Sequence, residues 1–460
     1  MITTDDVIKA FSHIKIKKAC GPDGLLGVVL KECKEQLSHV FGGLYESSMK
    51  NHTIPLIWKT SNIIPVPKKT NPAVYNDYRP VALTSIAMKC FERIVKTLLL
   101  QSTNHQLDPQ QFAYRPKRGV EDATLSLLHS TYEHLDKPGT HVRMLFVDFS
   151  SAFNTLQPYL LLAMLNNMGV NSNIVRWISS FMSGRPQYVT VNGIQSPITH
   201  TDTGAPQGCV ISPILFILYT NQCRCIKPDC LMIKFADDTV LAGFITDSDL
   251  NYKQAISDLV GWCDSHHLYL NTSKTKEVVI DFRKNKTIVQ PVQIRSEAIE
   301  QVDQYKYLGT YIDSKLSWKF NTDYICKKGR QRLHLLRQLR QFSVDRTIMQ
   351  MVYRTFIQSV LCFNFVCWYG SLTVQDKNHL LRITTTADRV IGLKSDGLDV
   401  LYTERTLKKA EKIRTDSEHI LSHKFKTLPS GRRLQTVRVN TNRFRFSFIP
   451  TSIRLINKRS

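Results

Sequence analysis

Apolar positions keep helical spacing over residues 5–16 and again over 28–49, and Cys20-Gly21-Pro22-Asp23-Gly24 breaks the pattern between them. A short strand is predicted over 63–67, running into the basic pair Lys68-Lys69, then a second extended piece over 78–84. An amphipathic helix follows over 85–100, with others after Pro158, over 173–182 and over 212–221. Residues 187–194 alternate around Asn192-Gly193, the pair that favours a type I′ hairpin turn. Gly204-Ala205-Pro206-Gln207-Gly208-Cys209 reads as a loop, and beyond residue 320 helices are predicted over 324–341, 345–368 and 376–391. Short strands mixed with helices in this way predict an α+β fold.

Two of the apolar strands end in acid. Met144-Leu145-Phe146-Val147 runs into Asp148, and Asp237-Asp238 caps the turn between the β-prone runs 231–235 and 239–242. An acidic pair at a hairpin tip is ordinarily a solvated turn. Two such strand ends, however, can bring Asp148 and Asp237 to one sheet edge, an arrangement suited to divalent metal and phosphoryl transfer. Mg²⁺ needs one or two carboxylates beside substrate phosphates. Two ions, Mg²⁺ or Mn²⁺, could activate an attacking hydroxyl and stabilise a leaving pyrophosphate. Asp148 and Asp237 would bridge them, the Phe149 carbonyl would add a ligand, and Asp238 would be auxiliary.

The net charge of +23 and the pI near 9.5 favour a polyanionic partner, nucleic acid ahead of a membrane surface, over a merely basic protein. The opening residues are polar and acidic, without a secretory pattern. The longest apolar stretch, 352–369, is interrupted by Arg354, Gln358 and Asn364 and reads as a buried helix, so no membrane partner is expected. Eleven scattered cysteines, with no second ligand cluster beside Cys223, Cys225 and Cys230, argue against zinc. They point to reduced thiols and an intracellular protein, nuclear or cytoplasmic and not secreted. From residue 401 onward there are fifteen Lys and Arg against four Asp and Glu, so this segment carries much of the surplus charge. Its Arg443-Phe444-Arg445-Phe446 run reads either as a grip for phosphates and bases or as an amphipathic strand with one solvated face. Oligomeric state is not legible.

Phe235-Ala236-Asp237-Asp238 together with Phe146-Val147-Asp148-Phe149-Ser150-Ser151-Ala152-Phe153 resembles the non-LTR (LINE-type) retrotransposon reverse transcriptases. Further blocks follow in the family's order: 18–24 with its Gly-Pro-Asp-Gly, 76–81 (Asn-Asp-Tyr-Arg-Pro-Val), 111–115, 119–123, 204–213, 270–276, 307–309, and Leu428-Pro429-Ser430-Gly431-Arg432-Arg433 near the end. The resemblance implies a right-hand polymerase with an N-terminal helical extension of the fingers over 1–60. Fingers and palm would span 61–315, a helical thumb 316–400, and a basic nucleic-acid-binding segment 401–460. It implies an RNA template, a DNA primer or target, dNTPs, and primer extension from a 3′-hydroxyl.

The same resemblance implies roles for individual residues. Arg79 with Lys68 or Lys69 would neutralise the triphosphate, although lysines there also read as a solvated cluster. Phe153 would exclude a 2′-hydroxyl, or serve as a core aromatic opening a helix. Gln207 and Gly208 would let the backbone approach the base pair, as a tight turn would also require. Lys274, ahead of Lys276, could donate a proton to pyrophosphate, and Leu308-Gly309 would grip the primer end. Arg432, Arg433, Arg443, Phe444 and Arg445 would hold nucleic acid. No endonuclease or zinc-knuckle pattern is visible, so the chain resembles the polymerase portion of an element. A decayed or co-opted copy, catalytically silent yet binding nucleic acid, is the alternative. An unrelated metal-dependent phosphotransferase would share the carboxylates without needing Arg79, the 204–208 loop or the basic tail.

Overall fold

A computed structural model describes residues 2–17, 19–286 and 288–459, and of Asn76 only the backbone. Lys18, which opens the block 18–24, lies outside the described residues. The fold is α+β, 48% helix and 16% strand, and it divides into two compact units. One comprises Met1–Tyr114, Phe149–Arg224 and Val260–Leu270; the other comprises Arg115–Asp148, Cys225–Leu259 and Asn271–Ser460.

In the first unit, the strands Ser61–Pro67 and Tyr78–Leu83 pair antiparallel, and Ser61–Pro67 runs parallel to Arg185–Val191. The predicted hairpin is present: Val191 pairs with Ile194 around Asn192 (φ 50°) and Gly193 (φ 82°). The helix Ile86–Thr103 starts at Ser85, whose hydroxyl accepts from the Met88 N–H. It packs Phe91 against Tyr45 and Trp177, with ring centroids 4.4 and 4.9 Å apart. The Gly21-Pro22-Asp23-Gly24 block earns its first glycine by close approach: a Cβ on Gly21 would lie 2.4 Å from the Ser85 nitrogen. Two predicted helices are corrected here. The first spans Thr4–Ser12, and the second is broken at Cys33 into Gly27–Glu32 and Lys34–Asn51, because Cys33 (φ −97°, ψ 27°) leaves helical geometry.

The second unit is built on a five-stranded sheet. Its order is Glu300–Gln301, Lys276–Asp281, His141–Val147, Asp238–Ile245 and Cys230–Phe235, all neighbours antiparallel except the first pair. The central strand His141–Val147 is buried on both faces, and the helix Val120–Leu135 packs on it. A charge lies inside it. Arg143, 1% exposed, donates Nε and Nη2 to the Glu277 carboxylate at 2.9 and 3.0 Å and Nη1 to Asp249 at 2.7 Å. Tyr252 and Gln301 also donate to Glu277, so the buried pair is hydrogen-bonded on all sides and pins the strand.

The predicted helix over 345–368 is corrected to Arg346–Val352, a π-helical turn Tyr353–Gln358, Ser359–Leu361 and, past a break, Phe365–Trp368. The break is at Asn364, left-handed at φ 49°, whose amide donates to the Thr310 hydroxyl at 2.9 Å. Residues 442–445 form a short helix, not a strand. None of the eleven cysteines is joined in a disulfide. Among the described residues no helix is long and apolar enough to cross a membrane.

Candidate active site

Strand register assembles the acids. Val147 pairs with Thr239 across antiparallel strands, so Asp148 and Asp238, the next residue out on each, fall opposite one another. Phe235 pairs with Asp238, leaving Ala236-Asp237 as the turn, with Ala236 at φ 59°. Three carboxylates therefore meet at one end of the sheet. The Asp148 backbone is fixed on both sides: its N–H donates to Thr275 Oγ1 at 3.2 Å, and its carbonyl accepts from Asn271 N–H at 2.8 Å.

All three acids are held above the usual carboxylate range. Burial of the charge by surrounding protein is the main cause for each. Asp148 further raises Asp237, and both raise Asp238, which is pushed up to about 6. The Lys274 ammonium, 4.0 Å from Asp148, opposes the shift there, while Lys276 is tied to Glu300 at 2.6 Å. The arrangement is a patch of negative charge that Lys274 offsets only in part. Among the described residues no three or more His, Cys, Asp or Glu side chains form a ready-made metal cage. Mg²⁺ does not require one, because one or two carboxylates suffice when substrate phosphates complete its shell. The donor set of hard oxygens fits such an ion.

Beside the acids lies the hairpin Gln304–Tyr307/Thr310–Asp313, turning at Leu308 (φ 45°) and Gly309 (φ 87°). Tyr305 stacks on Phe146 of the central strand at 4.3 Å, and Tyr307 packs on the same ring. Asp238, Thr239, Tyr305, Lys306, Leu308 and Gly309 thus share a cavity of about 140 Å³. Tyr305 escaped the sequence reading, which took in Tyr307 only as the first residue of the block 307–309. Their i, i+2 spacing on one strand face was the available signal.

The first unit gathers the other predicted residues. Phe149 bridges Leu270 in the ladder, and Ser150 N–H donates to the Tyr269 carbonyl. Phe153 lies in a turn ahead of the helix Pro158–Asn167, which corrects its expected place at a helix start. Its ring stacks on Phe216 at 4.6 Å, and its carbonyl accepts from the Ala205 N–H at 2.7 Å. That bond joins it to the loop carrying Gln207 and Gly208. The Gln207 carbonyl accepts from Ala82 N–H at 2.9 Å. Gly208 adopts φ 124°, and a Cβ there would lie 2.6 Å from the Ala82 oxygen, so glycine is required twice over. Arg79 is exposed on its strand, and Lys69 pairs with Asp77 at 2.9 Å, holding the Asp77 carboxyl down at about 2 together with the Ala73 and Val74 N–H groups. Lys68 is exposed, and its N–H donates to the Asp77 carbonyl.

The C-terminal basic residues divide. Arg432, Arg433 and Arg445 are exposed. Arg443 lies over the Phe282 ring at 3.5 Å. Phe444 is 2% exposed and packs near His129, so it is a core residue and presents no face for a base to stack on.

A sequence-family profile described as "Reverse transcriptase (RNA-dependent DNA polymerase)" matches residues 66–312. A short second match, residues 318–359, is to "Alkylated DNA repair protein alkB homolog 8, N-terminal". The chain is 22% identical over 410 residues to the probable RNA-directed DNA polymerase from transposon BS of Drosophila melanogaster, covering 85% of this chain and 44% of that protein. It is 24% identical over 332 residues to the RNA-directed DNA polymerase from mobile element jockey of the same species, covering 69% and 36%. This chain spans less than half the length of these two relatives. Telomerase from Candida albicans, solved with a TWJ fragment of telomeric RNA, is similar at TM-score 0.39 and 13% identity, over 85% of this chain and 67% of that one. With more than half of its residues matched by the family's profile, the chain belongs to the reverse transcriptase family.

Proposed function

We propose that this chain is an RNA-directed DNA polymerase that adds dNTPs to a primer 3′-hydroxyl on an RNA template. The observation that carries the reading is the convergence of Asp148, Asp237 and Asp238, whose raised pKa values mark a charge deficit that a cation would relieve. Members of the family generally use divalent metal ions. Asp148 and Asp237, with the Phe149 carbonyl, would hold two of them, Mg²⁺ or Mn²⁺, with Asp238 auxiliary. Bound there, the metal would supply the positive charge that activates the primer hydroxyl and stabilises the leaving pyrophosphate.

The remaining roles belong to the chain itself. Lys274, exposed and 4.0 Å from Asp148, is the proton donor to pyrophosphate in preference to Lys276, which Glu300 occupies. Arg79 and Lys68 bind the triphosphate, with Lys69 shared with Asp77. Phe153 excludes a 2′-hydroxyl, Gln207 and Gly208 face the nascent pair, and Leu308-Gly309 grips the primer end. Residues 61–315 would act as fingers and palm, with 1–60 extending the fingers, 316–400 as thumb, and 401–460 holding nucleic acid through Arg432, Arg433 and Arg445. Such an enzyme would work inside the cell, in nucleus or cytoplasm.

The test is primer extension on poly(rA)/oligo(dT) with dTTP and Mg²⁺ or Mn²⁺, beside an Asp237→Asn control. Extension by the wild type alone is the expected result. Tight, salt-sensitive RNA binding without extension would reject the polymerase in favour of a silent binding protein.

A further inference from the structure

Two buried charges that belong to no sequence motif hold the Gly204–Cys209 loop at its ends. Glu92 lies on the helix Ile86–Thr103 and is 0% exposed. One carboxylate oxygen accepts the N–H groups of Val210 and Ile211, at 2.5 and 3.0 Å, where the loop enters the helix Ser212–Tyr219. Its other oxygen is buried without a hydrogen-bond partner. Arg185 opens the strand Arg185–Val191 and is 6% exposed. It donates Nη1 to the Gly204 carbonyl at 2.8 Å and Nη2 to the Thr203 carbonyl at 2.5 Å, where the loop begins.

Burying either charge is costly, and each recovers that cost chiefly through main-chain groups at the loop's two ends, with Arg185 also donating to the Thr201 hydroxyl at 3.4 Å. Regular structure would leave both unnecessary, because it satisfies its own backbone. Between the anchored ends, Gly204 to Gln207 line a cavity of about 360 Å³ together with Arg185, Asn154 and Ala82. Two side chains outside the loop thus hold its ends, while main-chain bonds from Ala205 to Phe153 and from Ala82 to Gln207 hold its middle.

We propose that Glu92 and Arg185 are positioning residues that clamp the two ends of the Gly204–Cys209 loop and thereby set how tightly the site takes its nucleotide. This rests on the polymerase reading for its consequence in catalysis, though not for the clamp. The groups facing Glu92 are Lys89, Cys90 and Arg93 on its own helix and Cys209 on the loop. Burial pushes the Glu92 carboxyl up to about 7, against the pull of its two N–H donors, and pushes the Cys209 thiol well above its ordinary value. Glu92 is therefore the group that changes charge near neutrality, and an ionised carboxylate is the stronger acceptor.

The experiment uses the full chain as wild type, Glu92→Gln, Arg185→Lys and Asp237→Asn. With primed poly(rA), the first two variants are expected to raise the KM for dTTP about tenfold while kcat stays within about threefold. Amide exchange should quicken about tenfold at Val210 and Ile211 in Glu92→Gln, and near 203–205 in Arg185→Lys, leaving the rest unchanged. Asp237→Asn should lose extension with these amides as protected as in the wild type. A KM that does not move, a kcat that falls alone, or exchange that quickens uniformly would overturn the clamp. If the wild type extends no primer, the polymerase reading fails, and exchange alone decides the clamp. If the variants fold poorly, wild-type protection of Val210 and Ile211, corrected for intrinsic rates, should fall about tenfold between pH 8 and 6. Constant protection would refute it.

Discussion

The acid cluster is predicted to cost the protein stability, and Asp238→Asn measures how much. The Asp238 carboxyl ordinarily titrates at 3.8 and is held at about 6 by burial, by Asp237 and by Asp148. A folded-state pKa above the unfolded one means the folded protein binds the proton more tightly. The group is therefore neutral in its effect below about pH 4, increasingly destabilising as pH rises to about 6, and fully so above it. A shift of about two units corresponds to at most about 3 kcal/mol. The Asp238 side chain keeps part of its surface in solvent, so screening reduces this to about 1 kcal/mol. Because the three acids titrate together, that figure belongs to the cluster as much as to one residue. Urea unfolding in EDTA at pH 7 should find Asp238→Asn more stable than the wild type by about 1 kcal/mol, with the advantage gone at pH 4. Added Mg²⁺ at ten times its Kd should stabilise the wild type by about 1.4 kcal/mol and the variant by less. A variant equal to or weaker than the wild type at pH 7 without metal would refute the charge-deficit argument.

Asp237→Asn should lower kcat by at least about 10²-fold while leaving salt-sensitive RNA binding intact, measured by primer extension and filter binding in parallel. Phe153→Ala should relax discrimination against ribonucleotides by up to about 10²-fold in competing dTTP and UTP extensions; unchanged selectivity would remove the gate. Gly208→Ala places a Cβ 2.6 Å from the Ala82 oxygen at φ 124°, so urea unfolding should show a loss of about 2 kcal/mol or more and extension should fail with it. Arg143→Met leaves Glu277 buried without its cation and should cost about 3–5 kcal/mol in the same assay.

How much of this could be read from the chain depends on how local each cause is. The aspartate hairpin was legible because apolar runs and a turn specify it within a dozen residues, and register then dictates that Asp148 meets Asp238. Asn364 was not legible. It interrupts an apolar stretch with no Gly or Pro, and only its partner Thr310, far away in sequence, accounts for the break. Arg443–Phe446 misled for a related reason: over four residues, alternation fits a strand, yet one short helical turn also buries Phe444. Glu92 left a trace that went unread. Met88, Glu92, Val95 and Leu99 lie at i, i+4, i+7 and i+11, so a single carboxylate interrupts an otherwise apolar stripe of its helix.

The surplus of positive charge has a narrower meaning than its size implies. In the second unit some of the C-terminal basic side chains are spent within the fold. Lys409 and His419 both bind Asp122 on the helix Val120–Leu135, at 2.6 and 2.9 Å. Lys424 binds Glu133 of that helix at 2.7 Å. Asp136, at the helix end, accepts from the N–H groups of Asn440 and Thr441. An acidic helix therefore anchors a basic segment, and those charges cannot also serve phosphates without undocking it. Other cations stay exposed along the segment, from Arg405, Lys408 and Lys412 to Arg454 and Lys458, and among them Lys426, Arg432 and Arg433 lie on an arm folded back by the Thr427–Leu434 bridge, with Arg438 beyond. Leu434 is buried, and its N–H and carbonyl are both bonded to Asn457, so the arm's base is fixed and its arginines are not. A cation that is exposed on an anchored backbone can meet a phosphate at little ordering cost.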